Sequence, residues 1–229
     1  MKKQILFEGA AEIGISDVHD GSMRFLGEGN EAEIIKRQNS LGKLIGLEGG
    51  NVARIRTVYE GRNEYTFYDE VNGDNISEYS INNNETKILI SDGLVTKRKD
   101  VGLLLPLADC VGVVVYDVEK HILGLLHAGR HNVEQYGPEK FIKFLCDKYE
   151  CDPVNLKVFF SPCAQNYQIH ALDNQKMSDA VFEQLTKAGV LAENIDNPGI
   201  DTVTDDKYPS CSNGDYKTRF AVVVRLMNH

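Results

Sequence analysis

The sequence predicts an α+β fold, a mixed β-sheet with flanking helices, running as one domain over residues 1–229. Three observations lead to it. Short β-branched or aliphatic runs, bounded by charged or turn residues, recur along the chain and read as strands. Amphipathic stretches at helical spacing separate some of these runs, while a tight turn joins others, so crossovers and hairpins coexist. No internal repeat and no Pro/Gly-rich linker divides the 229 residues, which suffice to bury a substantial core.

The elements follow in order. Asn30 and Glu33 resemble a capping box, opening a helix with Ile34, Ile35, Gln38, Leu41, Leu44 and Ile45 at helical spacing and Gly46 as its stop. Residues 53–58 and 64–69 read as strands around a turn at Gly61, and the acidic, asparagine-rich stretch 70–86 as a surface loop. Residues 87–92 and 101–107 are expected strands. Val111 to Tyr116 and Ile122 to Leu126 then form a hairpin through Asp117–Lys120. Pro138 opens a helix with Phe141, Ile142, Leu145 and Cys146 on one side. A strand at 156–160, an amphipathic helix at 177–189 and a strand at 219–226 complete the chain.

The hairpin draws attention to two residues at its open end. With a four-residue loop, Tyr116 faces His121 and the ladder sets Cys110 opposite His127. Facing residues hold their Cβ atoms about 4.5–5.5 Å apart, close enough for a thiolate and an imidazole to share one metal ion or one proton. A slip of one residue would send them to opposite faces. Taken singly, Cys110 reads as a buried structural thiol and His127 as a core histidine. Taken together they read as a site. Asp109 either orients an imidazole nitrogen or ends a strand.

Composition narrows the function classes. A net charge of −9 leaves no basic stripe for phosphate backbones, so no nucleic-acid partner is expected. No apolar run approaches the roughly 18 residues of a membrane span, so no membrane partner is expected either. The start, MKKQILFEGAAEIG, lacks the apolar core of a signal peptide, and a cytoplasmic location is expected. Five cysteines at irregular spacing, with no CxxC pair, suggest neither a disulfide framework nor a zinc ribbon.

The stretch PLADCVGVVVYD…HILGLLHAG resembles the core signature of the laccase-domain family, the multicopper-polyphenol-oxidase-like proteins described as purine nucleoside phosphorylases. SDGLVT (91–96), SPCAQNYQIH (161–170) and TRFAVVVRL (218–226) resemble further family segments in the same order. The resemblance implies a fold similar to cysteine hydrolases of the cytotoxic-necrotizing-factor type. It also implies phosphorolysis of purine nucleosides, with deamination of adenosine at the same site. Zinc, or less commonly copper, would be held by a His-Cys-His triplet, of which Cys110 and His127 match two members; both are thereby the expected metal ligands and catalytic residues. Purine nucleoside and phosphate are the implied small-molecule partners. Arg130 and His131 stand where the family has a Trp-Arg pair and are the expected substrate-binding residues.

The departures are specific. Tyr59, in TVYEG, stands where the family has its first histidine, and Leu107 replaces the threonine before Ala-Asp-Cys. Asp201-Thr202 stands for a Cys-Thr, and the PSCSNGD loop lacks two family arginines suited to anionic substrate groups. A third metal ligand could come, by residue type, from His131 or His170; His19, His121 and His229 carry no such context. Three functions therefore stand side by side: a zinc-dependent phosphorylase and deaminase, a metal-free Cys–His hydrolase, and a non-catalytic relative. Copper polyphenol oxidation is a weaker fourth, because no methionine lies near either motif to serve as an axial ligand.

Overall fold

The computed structural model describes residues 1–25, 29–47 and 51–227; His229 lies outside them. In chain order they form β1 (Lys2–Leu6), β2 (Ala11–Ile15), α1 (Glu31–Leu44), β3 (Val52–Arg54), β4 (Tyr68–Glu70), α2 (Ile76–Tyr79), β5 (Gly93–Thr96), β6 (Gly102–Leu107), β7 (Val111–Asp117), β8 (Ile122–Ala128), α3 (Arg130–Glu134), α4 (Gly137–Tyr149), β9 (Leu156–Phe160), β10 (Gln168–Ile169), β11 (Gln175–Lys176), α5 (Met177–Lys187), β12 (Ile195–Asp196) and β13 (Phe220–Leu226). The α+β class is as expected, but the strands form two main sheets instead of one. The first runs β1-β2-β13-β6-β3 and the second β12-β9-β7-β8-β5-β4, each mixing parallel and antiparallel pairs.

Period-2 alternation explains why two sheets form. Leu103, Leu105, Val222 and Val224 of the first sheet meet Val114, Tyr116, Leu123 and Leu125 of the second in one shared core. Their neighbours Leu104 and Val223 point the other way, onto Leu41 of α1 and Ile45 just after it. Val113, Val115 and Leu126 turn outward onto Phe141 and Leu145 of α4 and Val181 and Leu185 of α5. Strands covered on both faces read as continuous apolar runs. No helix among the described residues is long and apolar enough to cross a membrane.

Several local expectations change. Asn30 makes no side-chain cap: its backbone (φ −97°, ψ 9°) is not extended, and Glu33 pairs with Arg37 instead. The strands expected at 53–58 and 64–69 shrink to β3 and β4. Residues 87–92 are not a strand, since Leu89 and Ile90 are exposed and only an isolated Arg56–Ile90 bridge forms there. The expected loop 70–86 contains the single turn of α2.

The hairpin register also moves. Asp117 pairs with Ile122 and Gly112 with His127, so the loop is Val118–His121 and the ladder is shifted by two residues. The Asp117 carboxylate accepts the N–H groups of Glu119 and Lys120, both at 2.8 Å, and His121 closes the loop at φ 53°. That extra capping draws Asp117 into the strand. Cys110 is therefore diagonal to His127, not opposite it. An even shift preserves the face, and the two residues still converge.

Candidate active site

The link from β6 to β7, the end of β8 and the loop before β13 meet around a cavity of about 650 Å³. That size lies within the range of about 300–1,000 Å³ usual for small-molecule sites. Cys110 and His127 both line it, and the space between them is kept open by Gly129. A Cβ on Gly129 would lie 3.1 Å from Cys110 Sγ, 3.1 Å from His127 Nε2 and 2.7 Å from His127 Cε1. The sulfur and the imidazole thus both crowd the position that a side chain at 129 would need.

Asp109 builds the bend that aims Cys110. Its backbone is left-handed (φ 72°), a conformation that aspartate tolerates better than most residues. Its carboxylate accepts Thr202 Oγ1–H at 2.8 Å, Ser212 N–H at 2.7 Å and Ser212 Oγ–H at 2.8 Å. Its carbonyl accepts Ala164 N–H at 2.8 Å. Asp109 therefore clasps three loops to the start of β7. It neither orients the imidazole nor merely ends a strand, and it brings Cys211 into the cavity wall beside Cys110.

His127 is held by its backbone N–H on the Asp92 carbonyl, at 2.8 Å. Asp92 in turn forms a buried ion pair with Arg62 at 2.6 Å and accepts the N–H of Phe67 at 3.0 Å. Arg62 also donates to the Val58 carbonyl, which fastens the loop carrying Tyr59 against His127. The Tyr59 and His127 rings lie edge to face, 6.5 Å apart. Removing one partner of a buried pair strands the other charge. Asp92→Ala is accordingly expected to lower unfolding stability by about 3–5 kcal/mol, measured in urea; a loss below about 1 kcal/mol would show that the pair is solvated like a surface bridge.

Burial sets the charge states. It pushes the Cys110 thiol up to about 12, assisted by the Asp109 and Cys211 charges and opposed by Arg219 and the N–H of Arg130. Burial also brings His127 down to about 4, with Arg219 and Arg62 adding to the fall and Asp92 opposing it. Tyr59 is half exposed because its ring faces the cavity, yet the enclosing protein raises its pKa by desolvation, helped by the Cys110 charge. At neutral pH the three stand as thiol, imidazole and phenol.

Arg130 lines the cavity and is exposed to solvent. His131 is not among the lining residues: it stacks on Tyr65 at 4.9 Å and accepts from Arg130 Nη2 at 3.1 Å. His170 hydrogen-bonds Asn174 away from the cavity, and His121 bonds the Tyr116 hydroxyl at the hairpin's far end. Sequence reasoning missed Arg24, Arg54 and Arg219, which also line the cavity. Arg219 immediately precedes the closing strand β13 and resembles the arginine of a family segment, a usable signal. Arg24 and Arg54 gave none, because distant pairing brings them in. Met23 N–H bonds the Arg219 carbonyl at 2.8 Å, and Arg24 Nη1 donates to the Tyr216 carbonyl at 2.5 Å.

Cys110 and His127 are soft donors suited to zinc or copper. A catalytic zinc takes three protein ligands. Tyr59, which lines the cavity, stands where the resemblance would put the third ligand, and no group of three His, Cys, Asp or Glu that could hold a metal ion is found among the described residues. Cys110 and His127 would supply two of the three donors that a catalytic zinc takes.

Comparison with known proteins agrees with this geometry. Residues 49–180 match the family model described as multi-copper polyphenol oxidoreductase laccase. A purine nucleoside phosphorylase of Rickettsia conorii is 30% identical over 202 residues, covering 77% of this chain and 80% of that one. A purine nucleoside phosphorylase of Campylobacter jejuni is 28% identical, covering 70% and 76%. YlmD from Geobacillus stearothermophilus superposes with a TM-score of 0.81 at 14% identity, covering 96% of this chain and 93% of that chain. A family match over more than half of the chain, centred on the strands that carry Cys110 and His127, is conclusive: the protein belongs to the multi-copper polyphenol oxidoreductase laccase family.

Proposed function

We propose that the protein is a purine nucleoside phosphorylase acting in the cavity that Cys110 and His127 share. The carrying observation is the cavity's charge. Among the described residues that line it, Arg24, Arg130 and Arg219 bring guanidinium groups, while the one lining carboxylate, Asp109, is engaged by three donors. On a chain of net charge −9 this is a concentrated anion site. It supplies the phosphate-binding groups that the PSCSNGD loop lacks. The names of the Rickettsia and Campylobacter relatives support the same reading.

In this reading Arg219 and Arg130 hold phosphate beside the reacting carbon, because both line the cavity together with Cys110, His127 and Tyr59. Guanidinium forks suit phosphate oxygens and stabilise charge as it moves toward the purine. His127 meets the substrate as a neutral imidazole, able to donate its one ring N–H to a purine nitrogen. The tyrosines at 59, 167 and 216 wall the cavity with flat, partly exposed rings that suit a base. His131 acts through Tyr65 as a positioning residue. The test is incubation of the purified chain with inosine, with and without phosphate. Free hypoxanthine and ribose 1-phosphate should form only with phosphate; base release that ignores phosphate would refute the reading.

The resemblance also implies zinc and adenosine deamination. We propose that Cys110 and His127 bind zinc weakly, as two donors where three are needed, and that phosphorolysis is the principal activity. Dialysed protein should then retain well under one zinc per chain. Tyr59→His should raise retention toward one, read by elemental analysis. Full zinc in the dialysed wild type would contradict this. The metal-free hydrolase is the less favoured reading, because a thiol raised to about 12 is not a preactivated nucleophile.

A further inference from the structure

We propose that Asp109 is a positioning residue for this reaction: it latches the loop 210–219 beside Cys110, and so sets how tightly the cavity holds phosphate and nucleoside. The inference rests on the phosphorolysis reading and deepens it. The loop carries Cys211, Ser212, Tyr216 and Arg219, all of which line the cavity. In the proposed reaction it thus brings both a guanidinium for phosphate and a ring for the base. Cys110 and His127 come from elsewhere, just before β7 and on β8. The site is complete only where the loop meets Cys110, and Asp109 is the residue that joins them.

The latch is direct at one end of the loop. Asp109 Oδ2 accepts Ser212 N–H at 2.7 Å and Ser212 Oγ–H at 2.8 Å. A second fastening there leads back to the same carboxylate. Asn213 Nδ2 donates to the Val203 carbonyl at 2.8 Å, and the preceding residue, Thr202, donates to Asp109 Oδ1. The other end is tied independently, by Arg24 at the Tyr216 carbonyl and by Ser22 and Met23 at Arg219. Loss of the carboxylate therefore frees the Cys211 end while the Arg219 end stays attached. A carboxylate in the wall of an anion site works against phosphate. Three donors offset the charge of this one, which is 6% exposed, and its place in the wall is explained by what it holds.

The carboxylate can be removed without disturbing the rest of the residue. The Asp109 carbonyl accepts Ala164 N–H, in the segment leading to Tyr167, and every substitution keeps that bond. Glycine suits the left-handed backbone (φ 72°), so Asp109→Gly deletes the latch without strain. Asparagine also tolerates this conformation. Its amide oxygen accepts the Ser212 donors while its NH₂ group donates to Thr202 Oγ1, so Asp109→Asn preserves the latch without the charge.

The test measures kcat and the KM values for phosphate and inosine in wild type, Asp109→Gly, Asp109→Asn and Ser212→Ala. Urea unfolding of each confirms that the rates refer to folded protein. Asp109→Gly should raise both KM values about tenfold, as one charge-assisted bond contributes, with kcat reduced less than about threefold. Asp109→Asn should recover most of that loss, and Ser212→Ala, which removes one bond of the latch, should raise KM about threefold. A merely structural role would lower stability without this split between KM and kcat. Unchanged KM values in Asp109→Gly, a loss confined to kcat, or an equal loss in Asp109→Asn overturns the latch while leaving phosphorolysis standing. Should Asp109→Gly not fold, Ser212→Ala decides: raised KM supports the latch and wild-type KM overturns it. If the wild type turns nothing over, phosphorolysis fails and calorimetric binding of phosphate decides the latch alone. Weaker binding in Asp109→Gly, restored in Asp109→Asn, supports it; equal binding overturns it.

Discussion

Arg219→Met should lower kcat/KM for phosphate-dependent cleavage about 100-fold, with most of the loss in KM for phosphate. A hydrogen bond to a charged group contributes about 1.5–3 kcal/mol, which is roughly 10- to 100-fold in binding. Arg219 lies at the upper end because it lines the cavity together with Cys110, His127, Tyr59 and Cys211. The fold should tolerate the change. Its bonds to distant segments are made by the backbone, through the carbonyl that accepts Met23 N–H and the N–H on Ser22 Oγ, while its guanidinium donates to the carbonyl of the neighbouring Thr218 at 2.6 Å. Steady-state rates with phosphate varied give the answer, and Arg219→Lys should recover part of the loss. An unchanged phosphate KM would remove Arg219 from the phosphate site.

Gly129→Ala should be more damaging still. The backbone there (φ −94°, ψ 171°) suits alanine, so the effect comes from the methyl group and not from strain. That methyl would sit 2.7 Å from His127 Cε1, closer than real contacts allow, and the imidazole must move. Overpacking of this kind costs about 1–3 kcal/mol of stability. Displacing a reacting group by about 1 Å can cost 10²-fold or more in rate. The expected result is a chain that still unfolds cooperatively in urea but has lost at least about 10²-fold in turnover. A variant of near wild-type rate would show that the space between Cys110 and His127 is not used.

The hairpin shows what the sequence could and could not convey. Its two apolar runs are plain, and so is the convergence of Cys110 with His127. The register is not, because loop length alone does not reveal that the Asp117 carboxylate caps the turn. The convergence holds only because the slip is even. At KILISD the apolar letters mislead: Ile88 is buried, but Leu89 and Ile90 face solvent, and the strand begins at Gly93. The first sheet is hidden for another reason. β1 and β2 join β13 from the opposite end of the chain, a pairing that no local pattern announces.

The site divides along the same line. Cys110, His127 and Arg130 lie in one stretch with a family signature, and the sequence alone picks them out. Arg24 and Arg54 become functional candidates only when the straps at Ser22–Met23 and on β3 close around the cavity. Asp109 sits beside Cys110 in the sequence, but its part as a clasp of three loops depends on partners at Thr202 and Ser212, about a hundred residues away. His131, a substrate contact by its place after the signature, instead packs on Tyr65 outside the cavity lining. Short-range chemistry is legible. Charge assembled across the fold is not.

A crystal structure of the chain soaked with a purine nucleoside and phosphate would show most directly whether this cavity is where the reaction occurs. Phosphate should lie within hydrogen-bond distance of the Arg219 guanidinium, and the ribose C1′ beside Cys110 and His127. Nucleoside or phosphate bound elsewhere, with this cavity holding only solvent, would contradict the assignment.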